Sequence, residues 1–175
     1  MIRDIGSQDI VTGNKKTNYR QIVEEELRNE GFIPLEIRSR EIKNKKVSLE
    51  DLHLDVLEYE TSVSTEFFLQ YVTEQNEIAG FLRLSIPTVE NFLEELKDCA
   101  IIREVHVYGI SVAIGKHNAG KAQHLGLGTK LIEKAKNITK ANGFDKLAVI
   151  SSIGTREYYK KLGFELQKLY QVIYL

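Results

Sequence analysis

The sequence predicts an α/β domain of the α+β kind, with a mixed, mostly antiparallel twisted sheet of about six or seven strands and helices on both faces. Three observations lead there. Short runs of apolar and polar alternation between residues 52 and 86 are separated by turn-forming polar clusters. A long β-branched run, 101–114, is followed by a polar loop and then by a segment of helical period, 127–141. Two further apolar runs flank a short helical segment near the C-terminus, so the second half reads β-α-β-α-β.

The elements follow in chain order. The first sixteen residues are polar and irregular, with a turn at Gly13-Asn14. Asn18 is suited to cap a helix that runs to about Asn29, with Ile22, Val23 and Leu27 on its apolar face and Gly31 as its stop. Residues 32–42 have strand character interrupted by charge. Residues 52–61 alternate as a half-buried strand, carried by Leu52, Leu54, Val56 and Tyr59. Residues 67–72 and 78–86 read as a hairpin across Glu74-Gln75-Asn76-Glu77. A short helix is expected over 89–96.

The run 101–114 is broken by Gly109, which marks a bulge or a close backbone approach. A polar loop, 115–124, leads into a helix over 127–141. Its positions Leu127, Leu131, Ile132, Ala135 and Ile138 share one face, and Gly143 ends it. Residues 146–151 form a buried strand, 155–162 a short helix and 164–175 a last strand.

Composition narrows the function classes. The chain has 175 residues, a net charge of −1 and a single cysteine, Cys99. An internal disulfide is excluded, as is a four-thiolate zinc site or an iron–sulfur cluster held by this chain alone. A near-neutral chain is not a wholesale nucleic-acid binder, so any such surface is local. No apolar run is long enough to span a bilayer, and the N-terminus lacks a signal-peptide core; the expectation is a cytoplasmic protein without membrane contact.

The segment Gln123-His124-Leu125-Gly126-Leu127-Gly128 stands between the long strand and the helix. Gly126 and Gly128 remove side chains that would hold a ligand away from the backbone. The helix start behind them offers unpaired N–H groups and the positive end of its dipole, which suit a pyrophosphate. The third glycine of the dinucleotide fingerprint is missing. Taken alone, a Gly-x-Gly of this kind also serves merely to turn the chain.

These residues resemble the GNAT superfamily, whose signature Gln/Arg-x-x-Gly-x-Gly/Ala is filled by Gln123, Gly126 and Gly128. A second feature of that superfamily follows in Tyr158-Tyr159-Lys160-Lys161-Leu162-Gly163-Phe164. The resemblance implies the GNAT acyl-CoA N-acyltransferase fold, with its sheet split where two strands diverge. It also implies that Tyr159 protonates the departing thiolate. Read without it, Tyr158 and Tyr159 are one core and one surface aromatic.

Closer similarity is to the acetyltransferase domain in the catalytic subunit of Elongator. It is carried by Ile102 to Gly109, by Gln123 to Gly128, by Val149 to Tyr159, by Ile78 to Leu84, and by Arg3 to Ser7 and Gly13 to Asn18. Full-length members carry a radical-SAM domain that this chain lacks, and the chain begins at what resembles the tail of that domain. It is expected to be either an excised piece or a natural short protein, with residues 1–45 as an appendage and 46–175 as the acetyltransferase domain. The family often has a zinc-ligating cysteine within Ile-Arg-Cys-Arg-Glu, where this chain has Ile37-Arg38-Ser39-Arg40-Glu41. Serine does not replace a thiolate on zinc, so no metal is expected.

The resemblance implies two ligands, acetyl-CoA and the anticodon arm of tRNA, with a separate radical-SAM domain or chain as a further partner. Pyrophosphate contact is assigned to Gln123, His124, Leu125, Gly126, Leu127, Gly128 and Thr129. The pantetheine arm is assigned to the strand edge at Ile110, Ser111 and Val112, and Tyr158 and Tyr159 are placed beside the cofactor. Thioester cleavage needs a base as well as an acid. Glu104 and His106 alternate on one strand and face one side, so either is able to serve; pairing of one of them with Arg103 or Arg83, merely ordering the sheet, is the structural alternative. Lys15, Lys16, Arg20, Arg38 and Arg40 are the candidate RNA phosphate contacts. The function expected is tRNA-dependent cleavage of the acetyl-CoA thioester. The alternatives are a stand-alone N-acetyltransferase acting on a protein or small-molecule amine, and a non-catalytic acetyl-CoA or tRNA-binding module.

Overall fold

The computed structural model describes residues 7–17, 19–43, 45, 47–108 and 126–175. Contacts divide the chain into two units, Met1–Arg40 and Glu41–Leu175. Among the described residues no helix is long and apolar enough to cross a membrane.

The first unit holds helix α1, Tyr19–Asn29. Arg20, Glu24 and Arg28 stand at successive i, i+4 positions and pair along its surface. The strand expected over 32–42 is not formed. Ile37–Arg40 is a 3-10 turn instead. The Glu36 carboxylate accepts the Ser39 backbone N–H at 3.1 Å, while the Glu36 carbonyl takes that N–H at 3.0 Å. Local polar bonding of this kind closes a turn before a ladder can form.

The second unit is a seven-stranded sheet in the order β1-β2-β3-β4-β5-β7-β6. Its strands are β1 (His53–Glu60), β2 (Ser64–Val72), β3 (Ile78–Pro87), β4 (Ala100–Val107), β5 (Lys146–Ile150), β6 (Glu165–Gln167) and β7 (Tyr170–Tyr174). All neighbouring pairs are antiparallel except β4 with β5. The β2–β3 hairpin closes as expected, with the Asn76 N–H donating to the Thr73 carbonyl at 2.9 Å.

One face carries the main core. Leu69, Leu82, Leu84, Ile102, Leu147 and Val149 pack there against Leu131, Ile132 and Ala135 of helix α2 (Leu127–Ala141) and Tyr159 of helix α3 (Arg156–Lys161). On the opposite face Ala148 and Val172 pack with Leu96 and Cys99. Leu96 lies in a 3-10 turn, Glu94–Leu96, where the sequence predicts a helix over 89–96. The Asn91 side chain accepts the Leu93 N–H at 3.1 Å, and Leu93 is extended, so the helix is pre-empted.

The last predicted strand is divided. Gln167 pairs with Tyr170 across a two-residue turn, and Lys168 takes φ 54° there. A lysine in the left-handed region carries no turn signal of the Gly or Asn kind, so the turn is not visible in the sequence.

Candidate functional site

Two features of the sheet open a site. β4 pairs with β5 only through Ala100, Ile101 and Ile102, then runs on to Val107 bonded to β3 alone. From Arg103 onward the edge of β4 towards β5 has no strand partner among the described residues. The second feature is a bulge. Arg83 pairs with Glu104 and Leu84 with Ile102, so Arg103 is the extra residue. The bulge resets the alternation: Ile102 and Val105 both belong with the main core, while Glu104 and His106 point to the other face.

The start of α2 lies beside this opening. Gly126 is the N-cap at φ 67°, and no side chain among the described residues caps the helix. The Lys130 N–H donates to the Gly126 carbonyl at 3.0 Å, leaving the N–H groups of Leu127, Gly128 and Thr129 without helical acceptors. A Cβ built on Gly126 would meet nothing within 4 Å among the described residues. Gly128 differs. A Cβ there would come within 2.8 Å of the Tyr158 hydroxyl, which lies across the helix start and reaches the Thr129 hydroxyl at 3.5 Å. Burial pushes the Tyr158 phenol up in pKa, and the bond to Thr129 opposes this. Gly126, Gly128, Thr129 and Tyr158 thus make an uncapped, donor-rich cradle that fits a phosphate-bearing cofactor.

The spacing of Tyr159, Gly163 and Phe164 has a local cause. Gly163, at φ 88°, follows Leu162, the C-cap of α3; its N–H donates to the Lys160 carbonyl at 3.0 Å, and the Phe164 N–H donates to the Tyr159 carbonyl at 3.1 Å. This is a Schellman cap, which calls for glycine at the left-handed position and favours an apolar contact across the turn. The Tyr159 and Phe164 rings make that contact edge-on at 5.6 Å. Tyr159 is 7% exposed, and burial, with Tyr158 adding, pushes its phenol up to about 12.

Glu104 and His106 share a face, as their alternation predicts. Glu104 approaches Arg83 at 3.7 Å, with both side chains nearly half exposed, so the pair is loose. His106 stacks on Phe81 at 5.9 Å and meets Tyr108 at 4.6 Å. Nothing in the local sequence marks Phe81 as a neighbour of His106, because the cross-strand register that joins them is not local. The fold therefore gathers Gly126, Gly128, Thr129, Tyr158 and Tyr159 on the helical side. It puts Glu104 and His106 on the other face, with the β4–β5 opening between.

In the first unit Lys15, Lys16 and Arg38 are exposed and Arg40 is partly buried. Arg20 is engaged by Glu24 at 2.8 Å and Glu36 at 2.6 Å. Ser39, where the resemblance expects a cysteine, donates its hydroxyl to Glu24 at 2.9 Å. Ile110, Ser111, Val112, Gln123, His124 and Leu125 lie outside the described residues.

Residues 35–164 match the family model described as the acetyltransferase (GNAT) family. The chain belongs to that family and has the GNAT fold. Within it, the chain is 35% identical to Elongator complex protein 3 of Drosophila melanogaster, over 96% of this chain and 32% of the relative. It is 38% identical to the tRNA uridine(34) acetyltransferase of Methanocaldococcus jannaschii, over 99% of this chain and 34% of the relative. The archaeal Methanocaldococcus infernus Elp3 with an N-terminal deletion superposes with a TM-score of 0.79 at 33% identity, covering 99% of this chain and 43% of that one. The chain spans about a third of the length of the curated relatives it matches.

Proposed function

We propose that this chain is the acetyl-CoA domain of an Elongator-like enzyme that modifies the wobble uridine of tRNA, and that it cleaves the acetyl-CoA thioester when tRNA is present. The observation that carries the reading is the match along nearly the whole chain to relatives named Elongator complex protein 3 and tRNA uridine(34) acetyltransferase. The uncapped start of α2 supports the cofactor half of it. On this reading the protein works in the cytoplasm with the tRNA anticodon arm and a radical-SAM domain or chain as partners. Lys15, Lys16, Arg20, Arg38 and Arg40 face RNA phosphates.

When bound, acetyl-CoA supplies an electrophilic acetyl carbon and a thiolate leaving group. The N–H groups of Leu127, Gly128 and Thr129 hold the pyrophosphate, joined by Gln123, His124 and Leu125. The strand edge at Ile110, Ser111 and Val112 pairs with the pantetheine arm. Glu104 or His106 takes a proton from the attacking water as its oxygen bonds to the acetyl carbon and the carbon–sulfur bond breaks. Tyr159, which keeps its proton far above neutral pH, donates to the leaving sulfur. The products are acetate and the free thiol.

The test is release of free thiol from acetyl-CoA with and without tRNA. The expected result is release that rises with tRNA. Tyr159→Phe should slow turnover roughly a hundredfold, in the range of a lost general acid, while leaving acetyl-CoA affinity nearly unchanged. Turnover with an amine and no response to tRNA would replace this reading with a stand-alone N-acetyltransferase. Acetyl-CoA binding without any thiol release would make the chain a binding module.

A further inference from the structure

Gln171 lies in the middle of β7, paired with Val149 of β5 on one side and Leu166 of β6 on the other. Directly paired residues share a face of the sheet, and Val149 belongs to the core beneath α2 and α3. Gln171 therefore carries an amide into an apolar row. It is 3% exposed and its side chain makes no hydrogen bond among the described residues. Its amide atoms are not among the fully buried side-chain atoms without a partner, so the amide opens onto the space beside it rather than being sealed in the core.

A cavity of about 340 Å³ adjoins it. Arg156 and Lys160 of α3 line one wall, with Phe164, Leu166 and Gln171 opposite and Glu157 and Glu165 completing it. The Arg156 Nε is buried without a hydrogen-bond partner. Neither Arg156 nor Lys160 makes an ion pair among the described residues. The two cations stand at i, i+4 and share a side of α3. Tyr158 is two residues from each, roughly 200° around the helix, so this cavity is separate from the start of α2.

We infer that this cavity is a second binding site, for a ligand carrying a single phosphate such as a nucleoside monophosphate unit. Arg156 and Lys160 hold the phosphate with charged donors. Gln171 offers two donors and one acceptor to a polar edge, and Leu166 covers an apolar surface. Glu157 and Glu165 accept from hydroxyls, and their charge offsets the two cations, which disfavours a triphosphate. The volume suits a small organic ligand rather than a bare ion. The site does not depend on the thioester reading.

The test is an amide NMR titration of the chain saturated with acetyl-CoA, which fills the start of α2. The probes are inorganic phosphate, uridine monophosphate and a short single-stranded RNA. Saturable shifts at Arg156, Lys160, Leu166 and Gln171 are expected. Arg156→Gln should weaken binding roughly tenfold or more. Gln171→Leu should raise the Tm of the ligand-free protein and abolish the further rise caused by the monophosphate. Response to the monophosphate identifies a free nucleotide as the ligand, and response to RNA alone identifies a strand; both support the site. Shifts confined to residues 126–130, no saturable shift with any probe, or binding untouched by both substitutions would overturn it.

Discussion

Tyr159 ties cap, core and chemistry together in one side chain. Its ring closes the Schellman turn against Phe164, and its phenol is pushed up to about 12 by burial, with Tyr158 adding. An unfolded tyrosine ionises near 10. As pH rises above about 10, the unfolded chain loses this proton first, so stability falls with pH until the folded phenol ionises as well. The contribution is complete below the unfolded value and is lost as pH rises through the folded one. Unfolding free energies from urea titrations at pH about 9 and about 11.5 should therefore differ more for the wild type than for Tyr159→Phe, by on the order of 1–2 kcal/mol once solvent screening is allowed for. Equal losses in both proteins would remove the buried phenol from the account. The sequence shows that a tyrosine stands four residues before Gly-Phe. It does not show that the spacing is itself a helix cap, because that depends on the φ of Gly163 and on where Phe164 lands.

Between elements, the contact of α2 with α3 is the sharpest. Gly128 leaves room for the Tyr158 hydroxyl, and a methyl group there would lie 2.8 Å from it. In a helix interior Ala is favoured over Gly by up to about 1 kcal/mol, so the steric and intrinsic terms oppose each other. Gly128→Ala is expected to lower the Tm and weaken acetyl-CoA binding. Adding Tyr158→Phe removes the hydroxyl and leaves the nearest ring carbon at 3.8 Å. The double variant should then be more stable than Gly128→Ala, with a coupling on the order of 1 kcal/mol in a thermal double-mutant cycle. Additive effects would mean that the two residues do not meet. Helix α2 itself is legible from end to end: the apolar face at Leu127, Leu131, Ile132 and Ala135 is the buried one, and Gly143 follows its C-cap, Asn142, at φ 81°. Elements decided by a single polar side chain are not legible. Asn91 shortens the predicted 89–96 helix to one 3-10 turn, and Glu36 closes a turn where a strand is expected.

For the whole molecule, Cys99 reports on global opening. It is fully buried between β4 and the sheet face that Leu96 covers. Burial pushes its thiol up to about 11, with Lys146 opposing and Asp145 adding. A thiol-specific chromogenic reagent at neutral pH should leave the native protein unlabelled over the time in which the denatured chain reacts fully. The labelling rate should follow the unfolding equilibrium as urea is added. Rapid labelling without denaturant would show that the second face opens locally. The same protection keeps Cys99 silent in an assay of thiol released from acetyl-CoA.

Fold class, the extent of α2, the β2–β3 hairpin and the glycines at the start of α2 are legible in the sequence alone, because each rests on local periodicity or on a turn residue within a few positions. The tertiary structure decides the rest. The bulge at Arg103 sets which face receives Glu104 and His106, and the short β4–β5 pairing leaves the site open. The packing of α3 on α2 brings the Tyr158 hydroxyl to Gly128, and the order β5-β7-β6 places Gln171 beneath Arg156. These depend on register and on contacts between residues far apart in the chain, where one residue of slip moves a side chain to the opposite face.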